Sequence, residues 1–278
     1  MVGAPGWPRT RDTFFDLHVG LDALPAVAAG FWLNVRVFVV SAPGWPRTRD
    51  TFFDARVGWD ALPAVAAGFW LNVRVFVVAS VLMLVLGLGI ALLRTLRGPV
   101  FWPVRALSLA YVDLFRGLPL ILVLLLVGFG VPGLRLQGVP SSAVVLGCVA
   151  LVLTYSAYSA EVFRAGIESV HPSQRAAARS LGLGAGQTMR YVVLPQAVRR
   201  VVPPLLNDVV SLTKDSGLIS VLGAIDAVRA AQIETAKTFD FTPYVVAGAL
   251  FVLLTIPLTR LTDAVSRRYG YLPTAGHL

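Results

Sequence analysis

The chain alternates between long apolar runs and short polar, arginine-bearing connections, and that alternation predicts helices that cross a bilayer. Val75–Leu93 supplies 19 consecutive, predominantly apolar residues, enough for one crossing. Ala106–Val131 is the second expected span and Ala143–Val162 the third. The fourth, Val198–Leu222, is interrupted by Pro203-Pro204 and several polar residues, and Tyr244–Leu261 is the fifth. The expected fold class is all-α, a polytopic membrane protein with five transmembrane helices.

Charge in the connections orients these spans. Arg94, Arg97 and Arg105 follow the first, and Arg164, Arg175, Arg179, Arg190, Arg199 and Arg200 follow the third. Arg260, Arg267 and Arg268 close the last. The opposite connections hold only Arg135 and then Arg229 with Lys237, diluted by Asp226, Glu234 and Asp240. Positive-inside bias puts the N-terminus outside and the C-terminus in the cytoplasm. Arg9, Arg11, Arg47, Arg49 and Arg56 run against that bias, with aspartates interleaved.

Composition agrees with the pattern. Of 278 residues 56% are hydrophobic and only 14% charged, where a soluble domain carries about a quarter; the mean hydropathy is +0.73. The net charge of +9 could suit a nucleic acid, but its carriers sit between apolar runs, so lipid is the expected contact and nucleic acid is not. Cys148 is the only cysteine, which excludes an intrachain disulfide and a cysteine metal cluster. His18, His171 and His277 lie outside the spans, against an intramembrane zinc site or histidine base. Met1–Asp12 lacks the apolar core of a signal peptide.

One segment occurs twice. Ala4–Val40 recurs at a shift of 38 as Ala42–Val78, differing only at Leu17/Ala55, His18/Arg56 and Leu21/Trp59. Structural repeats drift while keeping a pattern, so near-identity indicates a recent duplication; an error in the gene model would look the same. The second copy continues apolar into the first span, whereas the first meets Ser-Ala-Pro-Gly-Trp-Pro and is too short to cross. The expected organisation is a non-spanning duplicate (1–40), an external segment (41–68), a transmembrane domain (69–268) containing a cytoplasmic loop (165–195), and a cytoplasmic tail (269–278).

That loop is the most informative stretch. Pro172 suits a first helical turn, Ala176, Ala177 and Ala178 favour helix, and Gly182 suits its left-handed end. A second short helix is expected at Gln187–Val193, ending at Pro195. A small-residue helix in the cytosol suits docking to a partner, with Arg175 and Arg179 on one face; an ordinary interfacial loop helix has the same pattern. In the fourth span Asn207, Asp208, Ser211, Lys214 and Asp215 fall within about 120° of arc at 100° per residue. Charges at bilayer depth face a cavity or a partner, so the stripe reads as a translocation path or a subunit interface. The preceding prolines are expected to break this helix, as in transporter sites. The plainer reading leaves Lys214 and Asp215 at the outer end near water. Glu161 and Arg164 can pair at i, i+3, and Arg164 could also meet a substrate carboxylate. Arg116, before Gly117-Leu118-Pro119, reads as a snorkelling anchor.

No G-x-x-x-x-G-K-[ST] is present, so ATP hydrolysis is not expected of this chain, nor are catalytic residues or a bound cofactor or metal.

QRAAARSLG at Gln174–Gly182, followed by Leu194-Pro195-Gln196, resembles the EAA loop of ABC-importer permeases. YVDLFRGLPL (Tyr111–Leu120), AYSAEVFRAGI (Ala157–Ile167) and LTKDSGLISVL (Leu212–Leu222) resemble the polar amino-acid (histidine/glutamine/glutamate) branch, and the likeness runs from about Gly68 to Arg268. It implies a type I importer permease of five or six helices in a bacterial cytoplasmic membrane, paired with itself or a sister permease subunit. It further implies a cytoplasmic ABC ATPase that holds ATP and Mg and receives the loop helix, and an extracytoplasmic solute-binding protein. The likeness extends gating to Arg116, Gly117 and Pro119, and ATPase coupling to Gln174, Arg175, Ala176, Ala177, Ala178, Leu181, Gly182, Leu194 and Pro195. Ala176 stands where the family carries glutamate, and Ser173 where it carries glycine. An ABC permease for another small solute is the nearest alternative. An ion-coupled secondary transporter would need more helices or an inverted repeat, and an intramembrane protease would need a base within the bilayer.

Overall fold

The computed structural model describes residues 45–96, 98–135, 138 and 140–268; the expectations for 1–40 and 269–278 concern residues outside these. The chain divides after Phe53 into two compact units. The first contributes one described helix, α1 (Trp45–Phe52). The second carries everything that follows.

It opens with α2 (Ala55–Thr95), 41 residues long. The Asp54 carboxylate caps it, accepting from the amides of Arg56 at 2.8 Å and Val57 at 3.2 Å and so satisfying two of the first turn's orphan donors. At 1.5 Å per residue α2 is about 60 Å long, twice the thickness of a hydrocarbon core. The apolar stretch from Val75 is therefore only its second half.

The second expected span is broken. After a 3-10 turn at Pro99–Phe101, α3 (Trp102–Gly117) meets α4 (Leu120–Gly133, with a π turn at Leu126–Gly130) at 108°. The reason is local. A residue before proline avoids the helical region, and Leu118 is extended (φ −93°, ψ 137°) ahead of Pro119. Pro119 then starts α4, where a missing N–H does no harm.

α5 (Ala143–Glu168) is the central helix. Its Ala150, Leu151 and Tyr155 pack with Val75, Phe76, Ala79 and Met83 of α2 and with Val123 and Leu124 of α4 in the largest buried cluster. Small residues let these backbones approach, as membrane helix pairs require. The loop at 165–195 forms α6 (Pro172–Ser180) and α7 (Ala185–Thr188), then a π turn (Met189–Val193) leading into α8 (Leu194–Asp215). A 3-10 segment (Ser216–Leu222) connects α8 to α9 (Ala227–Thr238), and α10 (Thr242–Arg268) ends the described chain.

A second expectation fails here. Pro203 and Pro204 do not break the fourth span: α8 continues through both, with Pro203 buried. The two amides they lack would have bonded the carbonyls of Arg199 and Arg200, one turn earlier, and tertiary packing carries the helix across that gap. The break comes instead after Asp215, and the α7–Leu222 helical run and α9 are bent by 54°.

By length and composition α2, α5 and α10 can each cross a membrane, and the two bent pairs, α3–α4 and α7/α8–α9, meet the same test only as pairs. The described residues are helical or irregular throughout, without a strand.

Candidate functional site

Where α5 and α8 face one another the structure leaves an open, half-polar cavity of about 370 Å³. Four of the five stripe residues on α8 line it, namely Asp208, Ser211, Lys214 and Asp215. Asn207 does not; it is exposed elsewhere on the helix. The opposite wall is Thr154, Tyr155 and Tyr158 of α5, and Leu120 closes the end at the α3–α4 break.

The chemistry of the cavity is mixed. The Tyr155 hydroxyl donates to Asp215 Oδ2 at 2.6 Å, which fixes that carboxylate against α5. Asp208 Oδ2 and Thr154 Oγ1 are buried without a hydrogen-bond partner. Unsatisfied buried oxygens are rare enough to require an explanation, and these two share one wall-to-wall space. Lys214 brings a cation to the rim. Arg116 stands over the Tyr158 ring at 5.9 Å, a cation–π contact at the α3–α4 break. Gly117 and Pro119 make the bend that places Arg116 there. The cavity thus presents two carboxylates, Asp208 and Asp215, and one ammonium group, Lys214, on its lining.

Sequence reasoning missed Thr154, Tyr155 and Tyr158. The available signal was the Thr154–Ser159 run, in which five of six residues carry hydroxyls inside an otherwise apolar helix.

Glu161 and Arg164 pair as the i, i+3 spacing predicts, but in a larger network. Arg94 of α2 donates to Glu161 Oε2 at 2.8 Å, and Arg164 bonds both Glu161 and Glu168. This ties the end of α2 to the end of α5.

The loop helix is built as its sequence predicts. His171 caps α6, its Nδ1 accepting from the Ser173 amide at 3.2 Å, and Gly182 follows the helix in the left-handed region (φ 84°). The amides of Gly182 and Leu183 bond the carbonyls of Arg179 and Ala178, closing the helix end. Its two faces differ. Ala178 is buried, and Arg175 turns inward to donate to the Ile167 carbonyl at 2.9 Å. Gln174, Ala176, Ala177, Arg179, Leu181 and Gly182 face outward, Leu181 being 83% exposed. Arg175 and Arg179 therefore do not act on one face. Leu194 and Pro195 start α8, exposed, while Val193 and Ala197 beside them pack on Val170 and seat the loop on the membrane domain.

A multi-pass helical fold with a polar cavity between two of its long helices and a small-residue helix projecting from one end defines a membrane-embedded transport subunit. Residues 83–271 match the family described as binding-protein-dependent transport system inner membrane component, and the chain belongs to that family. It is 38% identical over 197 residues, 68% of this chain and 88% of the relative, to the "Probable glutamine ABC transporter permease protein GlnM" of Bacillus subtilis (strain 168). The arginine transport system permease protein ArtQ of the same organism is 34% identical over 191 residues, covering 68% and 85% of the two chains. Among solved structures, "Crystal structure of an amino acid ABC transporter with histidines" superposes with a TM-score of 0.67 at 33% identity, covering 74% of this chain and 94% of that one. The chain is a permease component with the ABC permease fold.

Proposed function

We propose that this chain is the membrane subunit of an ATP-driven importer for polar amino acids in a bacterial cytoplasmic membrane. Five spans would form it: α2, α5, α10 and the two bent pairs. The carrying observation is the α5–α8 cavity, where Asp208 and Asp215 can take an α-ammonium group while Lys214 takes an α-carboxylate. A zwitterion needs both at once. Relatives named for glutamine and arginine, and a neighbour named as an amino acid ABC transporter, support that substrate class.

The outward face of α6, with Gln174, Ala177, Leu181 and Gly182, is the docking surface for a separate cytoplasmic ATPase, which would hold ATP and Mg. Ala176 leaves that surface without the carboxylate the family carries there. A second permease subunit would complete the pathway, and an extracytoplasmic binding protein would deliver substrate. Residues 1–40 are a passenger duplicate, 41–68 an external segment, 69–268 the permease domain with its coupling loop at 165–195, and 269–278 a cytoplasmic tail.

The test is reconstitution in vesicles with the ATPase and the binding protein, measuring uptake of labelled amino acids. ATP-dependent accumulation is the expected result. Uptake indifferent to ATP would remove this reading.

A further inference from the structure

At the cytoplasmic ends of the helices lies a second cavity, of about 670 Å³, and four arginines from four different elements line it: Arg94 of α2, Arg105 of α3, Arg164 of α5 and Arg175 of α6. We propose that it binds the phosphate headgroup of an anionic phospholipid drawn from the inner leaflet.

The charges do not balance within the protein. Glu161 is shared by Arg94 and Arg164, and Glu168 bonds Arg164. Two carboxylates against four guanidinium groups leave a surplus of two positive charges, on Arg105 and Arg175. Arg105 has no hydrogen-bond or ion-pair partner among the described residues, and its Nε is buried. Arg175 gives one N–H to the Ile167 carbonyl, yet its Nε is likewise buried without an acceptor. Guanidinium groups with buried, unused donors recognise a tetrahedral oxyanion well, because several N–H groups can bond one phosphate.

The walls point to a lipid as the source of that anion. Leu88 and Leu92 line the cavity from α2, and each remains more than 40% exposed, as lipid-facing leucines would be. Phe101 and Trp102, exposed at the start of α3, suit the headgroup level where aromatic side chains collect. Basic pockets between membrane helices on the cytoplasmic side bind acidic headgroups. The amino-acid cavity is a different place: Arg164 lies six residues beyond Tyr158, about 9 Å along α5. Because Arg175 belongs to α6, the headgroup ties the coupling helix to α2 and α3.

The experiment uses the full chain with its ATPase in nanodiscs containing equal phosphatidylglycerol and phosphatidylcholine, followed by native mass spectrometry of the lipid retained by the monodisperse complex. Wild type should retain phosphatidylglycerol preferentially. Arg105→Gln should reduce that ratio about fivefold, the contribution of one arginine at a membrane surface, and Arg105→Lys should keep most of it. Excess inorganic phosphate should not displace the lipid. No headgroup preference in wild type, an unchanged ratio in Arg105→Gln, or displacement by inorganic phosphate would each overturn the proposal. Should Arg105→Gln fail to assemble, the wild-type ratio and the phosphate competition still decide it.

Discussion

Asn72 and Asp226 are 154 residues apart in sequence and joined by a hydrogen bond of 3.0 Å, in a place where neither side chain reaches solvent. The Asn72 amide also donates to the Ser216 carbonyl at 2.9 Å, and its oxygen accepts from the Ala227 amide at 3.0 Å. Asp226 uses its other oxygen to cap α9 through the Arg229 amide. One side chain of α2 thus holds both ends of the segment joining α8 to α9. The backbone comes so close that a Cβ at Gly68, one turn earlier, would lie 2.5 Å from the Asp226 carbonyl carbon.

Replacing Asn72 should therefore loosen the α8–α9 connection. Asn72→Ala removes three hydrogen bonds and leaves one oxygen of the buried Asp226 carboxylate without a partner, a loss of about 3 kcal/mol or more. Asn72→Leu keeps the volume and should not rescue stability, because the partners stay unpaired. Thermal unfolding of the purified protein in detergent measures both. Wild-type stability in either variant would show that the network carries no weight.

Within the cavity, the geometry ranks the acidic groups. Asp215 is held by Tyr155, whereas one oxygen of Asp208 has no partner and is the better placed to meet an incoming ammonium. Asp208→Asn should lower ATP-driven amino-acid uptake at least about tenfold, the worth of a charge-assisted hydrogen bond in a desolvated site. Tyr155→Phe should have a smaller effect through misorientation of Asp215. Labelled uptake read beside ATP hydrolysis separates these from assembly defects, since hydrolysis should persist in both.

How much of this was legible in the sequence depends on the range of the interaction. The Gly182 helix end and four of the five α8 stripe residues are local patterns whose placement the structure reproduces, while Asn207 falls outside the cavity. The Pro119 break is also local: Gly117-Leu118-Pro119 signals it, but the apolar run on both sides predicts one continuous span. Pro203 and Pro204 misled in the opposite direction, because helix continuation there is decided by tertiary packing and local propensity loses. Tyr155 with Asp215, Arg94 with Glu161 and Asn72 with Asp226 are long-range pairings. A single sequence carries no record of which distant residues meet, and none of these three could be read from it.

The Arg94–Glu161 contact links the C-terminal ends of α2 and α5, and both side chains are mostly shielded, at 14% and 22% exposure. Because Glu161 also serves Arg164, removing the acid should hurt more than removing one base. Glu161→Gln leaves two arginines facing each other, while Arg94→Gln leaves Glu161 still paired. A double-mutant cycle on unfolding in detergent should show the double variant less destabilised than the sum of the singles, with coupling of about 1 kcal/mol or more. Strict additivity would mean the pair is energetically idle.

The last expectation concerns α6. A Cβ at Gly182 would touch nothing within 4 Å, so any effect of substitution there is conformational and not steric. At φ 84° a β-branched residue is strained by about 1–2 kcal/mol, whereas asparagine tolerates this region. Gly182→Val should therefore shift the end of α6 and misplace Leu181, the most exposed apolar side chain of the loop, while Gly182→Asn should leave both in place. If α6 transmits the ATPase stroke, Gly182→Val will hydrolyse ATP with reduced amino-acid uptake per ATP, and Gly182→Asn will stay near wild type. The ratio of uptake to hydrolysis in reconstituted vesicles is the readout. Equal ratios in all three proteins would mean that the closing geometry of α6 does not matter for coupling.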